Sequence, residues 1–348
     1  MRSAFVIVGP QFSSLISTLR ICIVTPAAAR SRHGNRNTAS RWAGFLRELG
    51  HKVEIAQAWS GARADLMIAL HARRSHASIA AYAEAFPDRP LIVALTGTDL
   101  YRDIRVDAAA QESLALATRL VVLQELGAKE LPLRLRPRVR TIYQSARAVR
   151  RPAPLASCFE VVVSGHLREE KDPFRAAAAL AHLPAGSRVR VTHIGGALTP
   201  AMATEARAWM AREPRYRWLG ELPHWKGLRA LARSRVMILS SRMEGGANVV
   251  SEALAAAVPV IATRVRGNVG MLGAAYPGYF PVGDERALAR LIARTERDSA
   301  YRNALARHCR ARASLVEPGR ERDALEALLA DAAEAAPVRR PSPARGAA

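Results

Sequence analysis

Two glutamates, Glu244 and Glu252, are the residues whose type and spacing most directly predict chemistry. They lie eight positions apart in VMILSSRMEGGANVVSEALAAAVPVIAT, a segment that predicts a buried strand, a polar turn, a helix from about Val249 and a second buried strand. Because ligands of parallel α/β units bind beyond the carboxyl ends of the strands, we expect both carboxylates to face one crevice. The simpler alternative is a capped helix that carries two surface acids.

Backbone groups between the two glutamates add an anion site to this prediction. Gly245 and Gly246 leave the backbone bare for the close approach of a ligand, and Asn248 is placed to cap the following helix. The free amides at the N-terminus of a helix favour an anion. Carboxylates for sugar hydroxyls beside amides for phosphate predict a nucleotide sugar as the ligand.

The length and cysteine content of the chain bound the class of protein. A chain of 348 residues can form two domains with substantial cores. No apolar run reaches the roughly 18 residues of a membrane span, and AFVIVG near the N-terminus is too short for a signal peptide. Cys22, Cys158 and Cys309 show neither metal-ligand spacing nor an even count for disulfides. These features predict a soluble, cytoplasmic protein.

The net charge of +22 raises the question of nucleic-acid binding. Only four of the 52 basic residues are lysines, and the arginines are spread along the chain without a basic tail or an aromatic RNA-binding motif. Genomic codon bias also produces an arginine- and alanine-rich composition. We therefore expect no nucleic-acid and no membrane partner, and a basic surface that attracts anionic ligands. A non-enzymatic nucleic-acid binder stays open as the alternative from a different class.

Strand and helix patterns alternate through two halves of the chain, which predicts two domains. These are residues 19–146 and 158–331, and the Pro- and Arg-rich segment RAVRRPAPLAS at 147–157 is the predicted linker. We interpret residues 1–18 as an extension and residues 332–348 as a disordered tail. The predicted fold class is α/β, with two Rossmann-like, doubly wound parallel sheets that face a cleft.

Four motifs in the second half resemble, in order, those of glycosyltransferase family 4, whose members have the GT-B architecture. SGHLREEKD is similar to the family's phosphate motif, HIGGAL to its Gly-rich turn and YRWLGEL to its base-binding segment. RMEGGANVVSEALAAAVPVIAT is similar to its two-glutamate motif, which is the most specific of the four. The resemblance covers residues 20 to about 315.

The resemblance implies a role for several residues in binding the donor. Lys171, assisted by Arg168, would contact the diphosphate. Glu252 would hold the ribose diol, Glu244 would hold the sugar, and Leu219 would offer its backbone to uracil. The implied donor set comprises Gly34, Asn35, His166, Arg168, Lys171, Leu219, Glu244, Gly245, Gly246, Ala247, Asn248, Val249 and Glu252.

Two parts of this donor set need comment. Gly34 and Asn35 lie in the loop after the first strand, where family members bring backbone amides to the diphosphate. His166 stands where the family usually has a diphosphate-binding arginine.

Segments from both halves resemble one subgroup more closely, the selenosugar synthases of the selenoneine pathway. They are SRHGNRNTASRWAGFLRELGHKVEIA, LHARRSHASI, ALTGTDLYRD, IYQSA, GHLREEKDPFRAA and LSSRMEGGANVVSEA. This resemblance implies transfer of glucose or N-acetylglucosamine from a UDP-sugar to the selenium of selenophosphate, followed by loss of phosphate. An ordinary family 4 transferase that acts on a lipid, a polysaccharide or a small alcohol is the alternative.

Glycosyl transfer places negative charge on the departing diphosphate, which must be stabilised. Metal-dependent transferases often use an Asp-x-Asp pair, and the sequence contains none. The positive charge is then expected from Lys171, Arg168 and the helix that follows Asn248. We therefore predict that neither a metal nor a cofactor takes part. The predicted catalytic residues are Glu244, Lys171 and His71.

The acceptor side departs from the family pattern, because Thr96 stands where many members have a histidine. Two cationic loops, SRHGNR and HARRSH, are expected to face the cleft from the first domain. They suit a small, doubly charged acceptor, whose ionised selenium needs orientation more than a general base. The predicted acceptor residues are His33, Arg36, Arg73, Arg74, Thr96, Thr98 and Gln144.

Several acceptor residues also have simpler explanations. Arg73 and Arg74 could be solvated residues at a helix start, and His33 could cap a turn. Thr98 could close the acceptor pocket or help to cap the next helix, and Gln144 could orient the acceptor or form part of the hinge.

Overall fold

The structure is a computed structural model that describes residues 18–28 and 34–336. The first domain is built on a six-stranded parallel sheet in the order β2-β1-β3-β4-β5-β6. Its strands are β1 (Arg20–Val24), β2 (Lys52–Ala56), β3 (Leu66–Leu70), β4 (Leu91–Leu95), β5 (Arg119–Val122) and β6 (Val139–Thr141). Its helices are α1 (Gly34–Glu48), α2 (His76–Ala85), α3 (Ile104–Val106) and α4 (Ala108–Leu116).

The second domain repeats this design with a second six-stranded parallel sheet, in the order β12-β11-β10-β7-β8-β9. Its strands are β7 (Phe159–Ser164), β8 (Val189–Ile194), β9 (Tyr216–Trp218), β10 (Val236–Leu239), β11 (Val260–Thr263) and β12 (Tyr279–Phe280). The later helices are α5 (Arg175–Leu180), α6 (Pro200–Arg212), α7 (His224–Arg233), α8 (Asn248–Ala255), α9 (Arg266–Leu272), α10 (Glu285–Arg297), α11 (Ser299–Ala311) and α12 (Pro318–Ala335).

Apolar runs explain why the central strands form where they do. LMIAL in β3 and LIVAL in β4 are buried at every position, as expected for parallel strands covered by helices on both faces. Each sheet accordingly has one apolar cluster on either side. The order of strands reverses between β1 and β3 in the first sheet and between β7 and β10 in the second. Crevices for ligands form at such switch points.

The last helix corrects the predicted domain boundary and tail. Leu325, Leu328, Leu329 and Ala332 of α12 pack into the cluster that contains Trp42 on the first sheet. The apolar stripe on α12 needs a partner surface, and α1 with the first sheet provides it. The chain therefore returns to the first domain after α11, and residues up to Ala335 are helical where a tail from residue 332 was predicted.

Some predictions fall on parts of the chain that lie outside the described residues. These are the extension up to residue 17, His33, and the tail from residue 337. All three cysteines are buried and free. Within residues 18–28 and 34–336, no helix has the length and apolar composition that a membrane span requires.

Candidate functional site

Glu244 and Glu252 lie at the switch point of the second sheet. Glu244 follows β10 in the turn that leads to α8, and Glu252 is the fifth residue of α8, at the start of its second turn. The cap of α8 is Ala247, and Asn248 is already helical, so the predicted capping role of Asn248 is wrong. Its side chain instead accepts a hydrogen bond from Arg41 of the first domain, at 3.1 Å. The side chain of Asn248 therefore binds a donor from the first domain and not an amide of its own helix.

Glu244 forms an ion pair with Lys171, which the 3₁₀ turn after β7 places beside it. The glutamate is buried at 7% exposure, and its Oε1 also accepts a hydrogen bond of 2.5 Å from the Ser241 hydroxyl. Both contacts use Oε1, so Oε2 remains for a ligand, and the lysine ammonium has further N–H donors. The pair could thus accept from sugar hydroxyls and donate to a phosphate at the same time.

Glu252 has a partner that the sequence did not reveal. Its Oε1 lies 2.8 Å from Nε2 of His224, the first residue of α7. This hydrogen bond, with the charge of the carboxylate, raises the pKa of His224 above its usual value. The second carboxylate oxygen is left for a ligand, as a contact to a ribose diol requires.

Gly245 and Gly246 were expected to leave room for a ligand, but the structure gives these glycines a different role. A side-chain carbon on Gly245 would lie 2.4 Å from the carbonyl oxygen of Thr96, and one on Gly246 would lie 2.6 Å from Cβ of Leu123. Thr96 and Leu123 follow β4 and β5 of the first domain. The bare faces of these glycines therefore allow the two domains to approach each other, which sequence patterns within one domain do not indicate.

The N-terminus of α1 faces the N-terminus of α8 across the cleft. A side-chain carbon on Gly34 would lie 3.8 Å from the Asn248 amide nitrogen. Gly34, Asn35 and Arg36 are helical residues of α1, so the prediction that they form a loop is wrong. Two helix N-termini in proximity present unsatisfied amides and positive dipole ends to the space between them. That arrangement favours an anion.

Loops from β7, β8 and β9 complete the second domain's side of the site. Nδ1 of His166 accepts a hydrogen bond of 3.1 Å from the Gly196 amide, which holds the phosphate motif against the Gly-rich turn. The side chain of Arg168 is half-buried and extends from the same loop. The amide of Leu219 donates to the carbonyl of His193 at 2.9 Å, so only its carbonyl is available for a base.

His193 supports these loops from beneath. Its Nε2 lies 3.1 Å from the Gly165 carbonyl and therefore carries the proton, and its Nδ1 accepts from the Tyr216 hydroxyl at 2.9 Å. Complete burial lowers the pKa of His193 to about 4. The histidine is thus neutral and connects the second sheet to the phosphate motif.

His71 of the first domain is placed by strained backbone, with φ of 76° at the end of β3. The amide of Arg74 donates to its Nδ1 at 3.2 Å, so the proton lies on Nε2, 3.1 Å from the Thr98 hydroxyl. Burial lowers the pKa of this imidazole, with smaller contributions from nearby charges. Because both ring nitrogens are engaged, the geometry suits a neutral residue that orders the loops better than a general base.

Asp99 organises the same loops through backbone amides, and it forms no ion pair with any residue of 18–28 or 34–336. Its fully buried carboxylate accepts hydrogen bonds from the amides of Ala72, Thr96 and Gly97, at 2.8–3.2 Å. Three amides satisfy a buried charge well. Thr96 and Thr98 are thereby held at the cleft edge.

The arginines of the two predicted cationic loops on the first domain are only partly available to bind an anion. Arg73 pairs with Asp107 at 2.9 Å, and both are partly exposed. Within the described part of the chain, no ion pair is formed by Arg36 or Arg74, although the charge of Arg74 acts on His71. Gln144 is buried after β6, and its Oε1 has no hydrogen-bond partner within residues 18–28 and 34–336.

Sequence patterns missed three residues that the structure brings to this region, namely Arg41, His224 and Glu321. Arg41 donates to Glu321 of α12 at 2.7 Å and to Asn248 of α8. Arg41 lies inside one of the quoted segments and His224 comes two residues after YRWLGEL, but their partners lie elsewhere along the chain, so motif matching had no signal for these contacts. Only the amphipathic pattern of the helices that carry them was visible. Within the same described residues, no cluster of His, Cys, Asp and Glu is arranged to hold a metal ion.

Comparison with known proteins finds a family match in the second domain. Residues 156–312 match the family described as glycosyl transferases group 1. No curated protein matches the sequence significantly. The structure of Anabaena HepE with UDP and glucose has a TM-score of 0.73 and 16% identity, and the match covers 90% of this chain and 99% of HepE.

A second solved structure supports the same architecture. Sucrose-phosphate synthase from Thermosynechococcus elongatus has a TM-score of 0.71 and 17% identity, and the match covers 88% of this chain and 97% of the synthase. These similarities extend over both domains, and they confirm the predicted α/β fold of GT-B type. Residues 156–312 therefore resemble a group 1 glycosyltransferase domain, and the two sheets together form the GT-B architecture.

Proposed function

We propose that the protein transfers glucose or N-acetylglucosamine from a UDP-sugar to selenophosphate, yielding a selenosugar, UDP and phosphate. The observation that carries the donor half is the Lys171–Glu244 pair beside the N-terminus of α8, with Glu252 on the same helix. The similar HepE structures contain UDP, or UDP-glucose, which fits a donor of this class. The site lies on the group 1 domain.

Each donor residue has a defined task in this proposal. Glu244 accepts hydrogen bonds from the hexose hydroxyls, and Glu252 accepts from the ribose diol. Lys171 and the amides at the start of α8 stabilise the charge that develops on the departing diphosphate. Arg168 adds positive charge from the same loop. No step in this scheme requires a metal ion or a cofactor.

The acceptor half rests on which groups of the first domain are available. An alcohol acceptor needs a general base, and His71 has both ring nitrogens engaged. Arg36 and Arg74 carry charge toward an anionic acceptor, and Gln144 offers an amide. The selenium of selenophosphate would attack the anomeric carbon as the bond from that carbon to the diphosphate oxygen breaks. Water would then cleave the P–Se bond and release phosphate.

The test is UDP release by purified protein from UDP-glucose and UDP-N-acetylglucosamine, with and without selenophosphate. We expect release that depends on selenophosphate and persists in EDTA. Orthophosphate is the matched control, because it has similar charge but lacks the selenium nucleophile. Release with an alcohol acceptor and none with selenophosphate would contradict the acceptor, while loss of activity in EDTA that Mg²⁺ restores would contradict the metal-free mechanism.

A nucleic-acid binder is tested with the same preparation. Such a protein would retain duplex DNA in moderate salt and gain no thermal protection from UDP-sugars. We expect the opposite, with protection by UDP-sugars and salt-sensitive, weak binding of DNA.

A further inference from the structure

Arg41, in the middle of α1, connects this helix to α12 and to α8. Its Nε and Nη2 donate to the carboxylate of Glu321 in α12, at 2.7 and 3.2 Å. Its Nη1 donates to Oδ1 of Asn248 at the start of α8, at 3.1 Å. The guanidinium is planar, so two bonds to one carboxylate fix the direction of the third.

Glu321 is itself held firmly. Its side chain is fully buried, and besides Arg41 it accepts hydrogen bonds of 2.7 Å from the Trp42 indole and from the Ser145 amide. Ser145 follows β6 and directly precedes the segment that joins the two sheets. A buried carboxylate with this many donors has one orientation, and any displacement leaves a charge unpaired. Glu321 therefore anchors Arg41 to the first domain at its junction with the second.

The other end of Arg41 reaches the face of α8 that carries the predicted ribose contact. Asn248 and Glu252 are four residues apart in α8 and so lie on one face of that helix. The charge of Arg41 also lowers the pKa of His224, the partner of Glu252, against the larger upward effect of the carboxylate. Arg41 thus contacts Asn248 directly and acts electrostatically on His224, the partner of Glu252, from the opposite domain.

We propose that Arg41 is a positioning residue for the nucleotide site. Anchored by Glu321, it holds the first turns of α8 against the first domain and so couples domain closure to the binding of a nucleoside diphosphate. The identity of that ligand rests on the function proposed above. The coupling between the domains rests only on the contacts of Arg41.

Arg41→Lys is the decisive variant, because lysine keeps the charge for Glu321 but cannot bond Asn248 in the same plane. We expect UDP, measured by titration calorimetry, to bind about tenfold more weakly. In an Asn248→Ala background the same change should weaken binding less than about twofold, since the shared bond is already absent. Equal effects in both backgrounds, or no effect in either, would overturn the proposal.

Arg47→Lys is the matched control, because Arg47 lies on the same helix and, among the residues that the structure describes, its side chain donates to the Val53 carbonyl alone. A second experiment needs no nucleotide. It measures the rate at which trypsin cleaves after Arg147 and Arg150, which are exposed in the segment between the two sheets. Arg41→Lys should be cleaved several times faster than Arg47→Lys. If the wild type does not bind UDP, the proposed donor is wrong, and equal cleavage rates in the two variants would separately refute the coupling.

Discussion

Each sheet of this protein has a face formed by the loops at the carboxyl ends of its strands. The two faces share an architecture and differ in what their charged groups do. On the second domain, Lys171, Glu244 and Glu252 keep atoms available for a ligand beside a helix N-terminus. On the first domain, the carboxylate of Asp99 binds three backbone amides, and Arg73 pairs with Asp107. The first face uses most of its charges to shape loops, whereas the second presents them.

This difference indicates that the side chains, and not the shared fold, decide which face binds a ligand. Both sheets are six-stranded and parallel, and both have a switch point where a crevice forms. The second crevice combines the Lys171 ammonium with two carboxylates that each keep an oxygen for a ligand, beside the N-terminus of α8. The expected division of labour is therefore tight donor binding by the second domain, and orientation of the acceptor by the first.

Glu244→Gln should have the largest effect on this division. The variant keeps the size of the side chain but removes the charge that pairs with Lys171 and that, in the proposed function, accepts from the sugar. We expect kcat/KM to fall on the order of 10³-fold, with the circular dichroism spectrum unchanged. A loss below tenfold in steady-state kinetics would mean that the second face does not carry the chemistry.

Acidification should destabilise the protein through the buried His193 of the second domain. The pKa of His193 is about 4, below the usual 6.5, so the unfolded chain binds a proton more readily than the native protein does. Stability is then complete above pH 6.5 and falls as the pH drops toward 4, by roughly 3 kcal/mol from this group. Urea unfolding between these pH values measures it.

His193→Gln provides the comparison for that pH dependence, because glutamine can keep a donor and an acceptor without titrating. The variant should show a shallower loss of stability than the wild type, with the remainder contributed partly by His71, whose pKa is also lowered. Identical slopes for the two proteins would contradict the assignment to His193.

Gly245→Ala should disturb the contact between the faces rather than either face alone. The added carbon would lie 2.4 Å from the carbonyl of Thr96, so the domains must separate. We expect kcat to fall about 10²-fold while UDP affinity changes less, because misplacement by about an ångström has that cost. Gly186→Ala is the control, since a carbon there meets no neighbour within 4 Å. Equal kinetics in both variants would refute the close approach.

Substitution of Arg73 or Arg74 on the first face should have the smallest effect on activity. The two variants should differ in their KM for the acceptor. Arg74→Ala should raise the acceptor KM about tenfold, since its charge is not used by an ion pair within the described chain. Arg73→Ala should raise it less than about threefold, because that charge is already paired with Asp107. Acceptor kinetics at saturating UDP-sugar separate the two, and the reverse order would place Arg73 in the acceptor site instead.

Local patterns predicted most of the fold. Runs such as LMIAL and LIVAL form buried strands where they were expected, and the turn after β10 brings Glu244 to the strand ends. The errors arise where a partner comes from elsewhere in the chain. Asn248 was expected to cap its own helix and instead accepts from Arg41. The C-terminal helix was assigned to the second domain and packs on the first.

The sequence by itself determined the two parallel α/β units and the acidic motif, because strand and helix periodicity and the order of residues in one turn are local properties. Only the tertiary structure decided that Gly245 faces Thr96, that His224 holds Glu252, and that Arg41 joins α1 to α8. Each of these contacts links positions distant along the chain. Their formation depends on how two separately folded sheets pack, and no local pattern encodes that packing.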